Sequence, residues 1–523
     1  MDLGKSTTSR RRTPERIQGA VRGRFQLSRY ASFSCYVYWL VSNMGNTRNS
    51  RRAALIRVLD DNSLLHVFYL CRPFFRHEDD TADWTYNGRW WYALAHVCGR
   101  WRNIILGSAT YLGLSLLCTY GTPVADMLSH SPPLPLVVGY FRKDRELTTE
   151  DEEGITLALK QRDRVRRVHL YSSGTIMQKL ILAMDEEYPT LEFLCITLPL
   201  DDKSTILRFP GTLQAPHLLQ LMLHGFAHPI GSPLLTTAVG LVTLHLAMIH
   251  PSTYFHPNTL IQWISLMPHL ETLIIYFNLS IPNREVERQL THTPIIAPIT
   301  LPNLHVFRFR GVSAYLEALV HRIATPRLEK LEINFFSQLT FSVPRLLQFI
   351  IAAENFRLGD AVLTFSDKLL GAGLYPYGVS FGPANVYALG IVVDCCQLDW
   401  QASSMAQISN SLSQIFSTVE HLYLQHDVHN ESSEEHNDVD RTEWRNLLRP
   451  FSNVKTLRIH RRLVKDLSRC LELEDGVHPL ELLPELQEIT FFGRGDSRDT
   501  GGALASFIDA RRNAGLFVAL VHQ

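Results

Sequence analysis

One pattern of apolar positions recurs along most of the chain: an apolar residue is followed by apolar residues three and five positions further on. Side chains alternate along a strand, so the last two residues point to one face, while the first lies in the turn that leads into the strand. Proline often precedes the pattern, and it marks the start of a strand rather than its middle. The pattern therefore predicts short strands with one buried face. Ten copies begin at Val165, Leu191, Leu218, Leu241, Leu270, Leu304, Leu328, Val419, Val454 and Leu486.

Stretches of helical period lie between these predicted strands. Apolar stripes that alternate with short strands are typical of helices that cover the buried face of a sheet, rather than of a cofactor site. We therefore expect a layer of helices on one side of the strands. The stripes are Ile261, Ile264 and Met267; Leu316, Leu319 and Ile323; Ile408, Leu412 and Phe416; and Leu463, Leu467 and Leu471.

The first seven copies start 26, 27, 23, 29, 34 and 24 residues apart. This spacing resembles that of leucine-rich repeats, whose period is about 20–29 residues. That family carries an asparagine or cysteine eight positions after the first apolar residue, and here it occurs only once, at Asn278. The resemblance implies an irregular α/β solenoid, or horseshoe, over residues 111–523, with turns satisfied in another way. Residues 345–415 lack the pattern, although 361–365 and 387–394 are predicted strands.

A different pattern precedes the repeats. Asp60 is a helix-capping residue type, and residues 61–70 are amphipathic, with Leu64, Val67 and Phe68 on one face and Leu65 beside it. A second helix is predicted over residues 90–106, where Leu94, Val97, Cys98, Trp101 and Ile105 form a stripe. On these residues alone, the two helices would form the end of a core that caps the repeats.

Together, Leu64-Leu65, Val67-Phe68 and Val97-Cys98-Gly99-Arg100-Trp101 resemble an F-box. Trp90-Trp91-Tyr92 and Gly121-Thr122-Pro123-Val124 extend the resemblance to the large family of F-box-like proteins of mushroom-forming fungi, over most of residues 55–520. The resemblance implies a helical module at residues 55–110 that docks on Skp1 in a cullin-based SCF ubiquitin ligase. The docking residues it implies are Leu59, Leu64, Leu65, Val67, Phe68, Leu94, Val97, Cys98, Trp101 and Ile105.

Two features depart from the F-box pattern. Asp60 replaces the family's proline, and the link between the helices, Arg72 to Gly88, is enlarged and carries an acidic turn. A loop at this point would reduce or redirect contact with Skp1. The alternative therefore stays open that the helices only cap the repeats.

Composition narrows the classes of function. Lys plus Arg and Asp plus Glu both total 51, and this balance gives no support for nucleic-acid binding. The eight cysteines include no CxxC pair, which is consistent with a reducing compartment. The segment 33–41 is too short to span a bilayer. We expect a cytoplasmic or nuclear protein without membrane attachment, and a basic, disordered tail over residues 1–50.

No motif nominates a catalytic residue, a metal ligand or a cofactor site. The chain has no GxxxxGK[ST], GxSxG or HExxH. His426, His429 and His436 lie among acids in a polar segment, which is more typical of a solvated loop than of a metal site. We therefore expect a non-enzymatic protein that uses no cofactor.

In an adaptor of such a ligase, the solenoid would bind the target protein that is to be ubiquitinated. The sequence predicts that the residues in contact with this target lie on the concave face of the solenoid, at strand positions between the buried ones. Their charges are mixed, which argues against a uniformly acidic or basic ligand. The target protein itself is not identified by the sequence. The predicted contacts are Glu271, His305, Arg308, Glu329, Lys330 and Arg458.

Overall fold

The computed structural model describes two compact units. Unit 1 is Met1–Leu117 with Pro132–Val137, and unit 2 is Cys118–Ser131 with Val138–Gln523. The predicted tail, 1–50, and most of the link after Arg72 lie outside the described residues. Those residues are 59–72, 89–142, 144–199, 209–225, 232–249, 254–278, 298–336, 338, 340–353, 356, 358–366, 369–376, 387–394, 398–426, 441–471, 481–493 and 500–522.

Unit 1 contains helices α1 (Asp61–Leu70), α2 (Trp90–Ala95), α3 (Gly99–Gly107) and α4 (Ala109–Leu112). Helix α1 begins as expected, since the Asp60 carboxylate accepts the Ser63 N–H at 2.9 Å. The prediction of a single helix over residues 90–106 was wrong, because α2 and α3 are separate helices. Cys98 is extended, with φ −163° and ψ 167°, and an extended residue cannot continue the i to i−4 hydrogen bonds of a helix.

Unit 2 alternates strands with helices. Strands β1 (Leu116–Cys118) and β2 (Leu136–Tyr140) have residues in both units. The remaining strands are β3 (Val165–Tyr171), β4 (Phe193–Thr197), β5 (Gln220–His224), β6 (Thr243–Ile249), β7 (Thr272–Phe277), β8 (Ile299–Thr300), β9 (Val306–Gly311), β10 (Ile323–Ala324), β11 (Lys330–Phe335), β12 (Leu358–Phe365), β13 (Leu369–Pro376), β14 (Leu389–Asp394), β15 (His421–His426), β16 (Thr456–His460), β17 (Glu488–Phe492) and β18 (Ala519–His522).

The helices of unit 2 follow the same alternation. They are α5 (Val124–His130), α6 (Thr149–Leu159), α7 (Gly174–Leu182), α8 (Pro233–Thr237), α9 (Pro257–Ile264), α10 (Ser313–Val320), α11 (Pro344–Ile351), α12 (Leu398–Ser411), α13 (Ser413–Phe416), α14 (Arg441–Leu448), α15 (Val464–Leu471), α16 (Thr500–Ala503) and α17 (Ala505–Asn513), with a 3₁₀ turn at Arg461–Leu463. Met267 and Ile323 lie beyond the ends of α9 and α10, although both are buried as expected.

The predicted apolar positions form in-register rows across a parallel sheet. From β3 the order is β3-β4-β5-β6-β7-β9-β11, and neighbouring strands are parallel. We call the residues three and five places after the first apolar residue the third and fifth positions, and number the other positions in the same way. The third positions of neighbouring strands pair directly, as Val168 does with Leu194 and Leu273 with Phe307, and so do the fifth positions. All are at most 1 % exposed. The repeat pattern therefore predicted strand location, pairing and buried face together.

Main-chain hydrogen bonds connect neighbouring repeats at the strand entrances. In the repeats that begin at Leu191, Leu218, Leu241, Leu270 and Leu304, the carbonyl of the residue after the first apolar position accepts two consecutive N–H groups from the next repeat. The Glu271 carbonyl accepts from His305 and Val306 at 2.9 and 3.0 Å, and the His305 carbonyl accepts from Glu329 and Lys330, both at 2.9 Å. These bonds satisfy the backbone at the turns without a side-chain ladder.

In the region that lacks the pattern, three strands lie in the sheet in the reverse of their order along the chain. Strands β12 and β14 contain or overlap the predicted 361–365 and 387–394, and an unpredicted strand, β13, lies antiparallel between them. The spatial order is β11-β14-β13-β12-β15, with β14 parallel to β11 and β12 parallel to β15. Parallel pairing then continues through β16 and β17 to β18.

Helices pack on the face that carries the third and fifth positions. Phe309 stacks on Tyr315 of α10 with ring centroids 5.9 Å apart, and Phe365 lies 5.2 Å from Trp444 of α14. The second, fourth and sixth positions point the other way. We call that side of the sheet, away from the helices, the far face.

Candidate functional site

Half of the predicted docking residues of unit 1 are interior. Leu64, Phe68, Leu94, Trp101 and Ile105 are each at most 7 % exposed. The rings of Phe68 and Trp101 meet edge to face with centroids 4.9 Å apart, which joins α1 to α3. In the folded module, these five side chains hold the helices together, so a docked partner would contact other side chains.

The other five predicted docking residues reach the surface to different extents. Leu59 is 38 % exposed and Cys98 is exposed, while Leu65, Val67 and Val97 are partly buried. Arg100 brings the starts of α1 and α3 together, since its guanidinium donates to the Asp61 carboxylate at 2.7 Å and to the Leu59 carbonyl at 2.6 Å.

Sequence reasoning missed three exposed apolar residues of unit 1. Tyr69, Leu70 and Tyr111 are 36, 39 and 53 % exposed, and the rings of Tyr69 and Tyr111 lie 5.2 Å apart. Tyr69 follows Leu65 by four positions on α1, so helical periodicity could have found it. Tyr111 could not be found that way, because its proximity depends on where α4 packs.

In unit 2, three of the predicted target contacts lie side by side at the strand entrances. Glu271, His305 and Glu329 occupy equivalent positions before β7, β9 and β11 and are joined by the main-chain bonds described above. Glu271 and Glu329 are exposed, and His305 is partly buried. These three residues therefore lie along the line where the strands begin, and not on the far face of the sheet.

Arg308 and Lys330 come together on the far face around Glu332. Arg308 Nε lies 2.8 Å from Glu332 Oε2, which is ion-pair distance although the N–H is not aligned for a hydrogen bond, and Lys330 Nζ lies 2.7 Å from Glu332 Oε1. Lys330 also lies 5.1 Å from the centroid of the Tyr387 ring. Burial and the Glu332 carboxylate raise the pKa of Tyr387, which keeps this phenol neutral.

Arg458, on β16, belongs to a second cluster. Its guanidinium lies 5.2 Å from the centroid of the Tyr423 ring on β15, and its buried Nε has no hydrogen-bond partner among the residues that the structure describes. Strands β14, β13, β12 and β15 separate it from β11. The structure therefore does not bring Arg458 together with Arg308 and Lys330.

Several far-face residues were not predicted as contacts, because they depend on the reversed strands or are uncharged tyrosines. Arg310 pairs with Asp394 of β14 at 2.9 Å, which required knowing that β14 lies near β9. The tyrosines Tyr276, Tyr375, Tyr387 and Tyr423 also lie here, and each has a pKa raised first by burial. Tyrosine and arginine are residue types that are enriched at the hot spots of protein interfaces, and both are frequent on this surface.

A histidine cluster lies on the far face of the first repeats. His224 Nε2 and His245 Nδ1 are 3.3 Å apart, and His169 stacks on Phe141 with ring centroids 4.4 Å apart. Burial lowers the pKa of His169 to about 4 and that of His245 to about 3, so both rings are neutral at pH 7. The geometry supports a hydrogen bond between His224 and the neutral His245 ring.

Within the described part of the chain, no three His, Cys, Asp or Glu side chains gather as metal ligands would. His426 ends β15, but the acidic segment that follows it, with His429 and His436, lies outside the described residues. Among the helices of the described residues, none combines the length and apolar character that a membrane crossing requires.

The chain matches no protein-family model and no curated protein. Among solved structures, it is similar to the leucine-rich repeat-containing protein LegL7 from Legionella pneumophila. The identity is 11 % and the TM-score 0.24, and the match covers 75 % of this chain and 97 % of LegL7. The repeat register, the long mostly parallel sheet and the helices on its other face define unit 2 as an α/β repeat array.

Proposed function

We propose that the chain is a substrate-recognition adaptor of an SCF-type ubiquitin ligase, in which unit 1 docks on Skp1 within the cullin-based ligase and unit 2 binds a target protein. The observation that carries the proposal is the F-box-like sequence Val97-Cys98-Gly99-Arg100-Trp101, with Trp101 packed on Phe68 of α1 within unit 1. The adaptor supplies no chemistry of its own. It raises the local concentration of the target near the transferring enzyme.

A second candidate is a protein-binding scaffold without ligase activity, in which the N-terminal helices only cap the repeats. The observation that favours it is the interior position of Leu64, Phe68, Leu94, Trp101 and Ile105, since these residues are needed for packing whether or not a partner docks. Both candidates give unit 2 the same role, and they differ in whether unit 1 has a partner.

Binding of purified Skp1 separates the two candidates. The variants to compare are Leu65→Asp and Val97→Asp, because these side chains are only partly buried and their loss does not open the core of unit 1. Leu182→Asp is the matched control: Leu182 ends α7 in unit 2 and is 58 % exposed. The adaptor predicts that Skp1 binds the full chain and that affinity falls at least about tenfold in the unit 1 variants only, since each buries an unpaired charge at the interface.

Failure of the unaltered chain to bind Skp1 would refute the adaptor proposal, as would equal binding by all three variants. Circular dichroism and thermal unfolding of each variant establish that it is folded. Variants at Trp101 or Leu64 are unsuitable as the primary test, because truncating a buried side chain of this size costs about 2–5 kcal/mol of stability by itself.

A further inference from the structure

The far face of unit 2 has one continuous register row from β9 to β17. The row runs across the reversed strands without a break, and its central members are glycines. In spatial order the row is Arg308, Glu332, Gly390, Gly373, Val362, Tyr423, Arg458 and Thr490. A cluster of charged and aromatic side chains therefore lies on each side of a central strip, where the two glycines have no side chains of their own.

The first cluster carries one basic charge in excess of its acids. Arg308 and Lys330 share the single carboxylate of Glu332, at 2.8 and 2.7 Å. Arg310 is matched by Asp394 at 2.9 Å, so the first cluster keeps a net charge of about +1 at neutral pH.

The second basic charge belongs to Arg458. Among the described residues, no carboxylate lies within ion-pair distance of its guanidinium, which contacts the Tyr423 ring instead. Two acids lie nearby on the far face: Asp360 of β12 is opposite His421 in the strand register, and Glu488 of β17 accepts the Thr490 hydroxyl at 2.9 Å.

Tyrosine rings cover the strip between the two clusters. A side chain at Gly390 would collide with the Tyr387 ring, and a Cβ at Gly373 would lie 3.3 Å from the Tyr375 ring. The centroids of these two rings are 6.2 Å apart. Glycine at these positions therefore lets the rings lie down on the sheet, where they form a rigid apolar surface with polar hydroxyls, a surface that suits polypeptide contact.

The separation of the two positive clusters follows from the strand order. Lys330 on β11 and Arg458 on β16 are separated by five strand steps, which at about 4.8 Å each span about 24 Å. An extended polypeptide rises about 3.3 Å per residue, so about seven residues cover that distance. A segment lying across the strands would place an acid against each cluster and apolar residues against the tyrosines.

We infer that the far face between β9 and β16 is a docking site for an extended acidic–apolar–acidic protein segment, with carboxylates about seven residues apart held by Lys330 with Arg308 and by Arg458. The inference rests on the proposed role of unit 2 in binding a target, and it names the class of target segment. It also agrees with the mixed charge of the surface, because a uniformly acidic ligand would meet Glu332 and Asp394.

Fluorescence anisotropy with synthetic peptides tests the inference on the full chain. The probes are fluorescein-labelled peptides with one glutamate pair at each end of a spacer of two, six or ten Pro, Leu and Ser residues, and a six-residue-spacer analogue with lysines in place of the glutamates. The six-residue spacer should bind at least about tenfold more tightly than the two-residue spacer and the lysine analogue, because two residues are too short for both anchors to engage. It should bind more tightly than the ten-residue spacer by a smaller factor, because a longer flexible linker lowers the effective concentration of the second anchor.

Charge reversal at either anchor should remove the dependence on spacer length. Lys330→Glu and Arg458→Glu are each expected to weaken the six-residue peptide about tenfold and to make the three spacers equivalent. The matched controls are Lys179→Glu and Arg512→Glu, at exposed helix positions that pair with Glu152 and Asp509, and these should bind like the unaltered chain.

Equal affinity for all spacers in the unaltered chain, tight binding of the lysine peptide, absence of peptide binding, or an equal loss in the control variants would overturn the inference. Skp1 binding is measured on the same preparations. Loss of Skp1 binding with spacer-dependent peptide binding retained refutes only the adaptor proposal, and the reverse result refutes only the docking site.

Discussion

Replacing Arg511 should destabilise the C-terminal end of the array far more than replacing its neighbour. Arg511, in α17, is fully buried, and its guanidinium donates to the carbonyls of Leu483, Pro484 and Leu486 at 3.0, 2.8 and 3.3 Å. These carbonyls belong to the turn that enters β17. Leu483 has φ +51°, a conformation that costs a residue with a Cβ about 1–2 kcal/mol, so the turn depends on outside support.

The magnitude follows from two opposing contributions. Each hydrogen bond from a charged donor contributes about 1.5–3 kcal/mol, so three would total about 4.5–9 kcal/mol. Burying the guanidinium costs several kcal/mol, and burial accordingly lowers the pKa of Arg511. Arg511→Met keeps much of the volume but removes both contributions, and we expect a net loss of about 3–5 kcal/mol. Arg511→Lys should lose less, because an ammonium keeps the charge but cannot span all three carbonyls.

Urea unfolding and amide hydrogen exchange measure the effect. In a repeat array the loss is expected to be concentrated in neighbouring elements, so protection should fall first in β17 and β18. Arg512→Met is the control, since Arg512 is exposed and pairs only with Asp509. A loss below about 1 kcal/mol for Arg511→Met, or one equal to that of the control, would refute the support of the turn by Arg511.

Three further outcomes are expected. Glu317→Ala should cost about 1–2 kcal/mol in urea unfolding, because the Glu317 carboxylate accepts the N–H groups of Arg345 and Leu346 at the start of α11; an unchanged midpoint would contradict this. Burial lowers the pKa of His169 to about 4 from about 6.5 when unfolded, so its contribution is complete above pH 6.5 and falls by roughly 3 kcal/mol as the pH drops to 4. His169→Phe should reduce the fall in the free energy of unfolding between pH 6.5 and pH 4. A pH profile identical to that of the unaltered chain would contradict the assignment of this fall to His169. Phe68→Ala should cost about 3–5 kcal/mol and make unit 1 sensitive to limited proteolysis, whereas equal resistance would show that Phe68 is not central to its packing.

The fold of the repeats was largely predictable because its information is local. An apolar residue followed by others three and five positions on specifies a turn and one strand face, and repetition specifies the register. Val168, Leu194 and their equivalents lie where the pattern placed them. The break in the helix at Cys98 was not predictable in this way, because the stripe through Leu94 and Trp101 is equally compatible with one continuous helix.

The candidate surfaces were less predictable than the fold. The amphipathic pattern identified residues such as Leu64 and Trp101 as apolar, but it could not decide which of them face a partner and which face another helix of the same unit. Arg308 and Lys330 were found on the far face as expected, because strand alternation assigns that face. Arg458 lies apart from them, and its distance depends on strands that the pattern did not contain.

The sequence by itself determined that this protein has repeated short strands with one buried face, covered by helices, and an N-terminal segment with amphipathic helices. The tertiary structure decided the order of β12, β13 and β14, the burial of half of the predicted docking residues, and the spacing of the two basic clusters. The physical reason is range. Side-chain alternation and helical period act within a few residues, whereas strand order and helix packing depend on contacts between residues far apart in the chain.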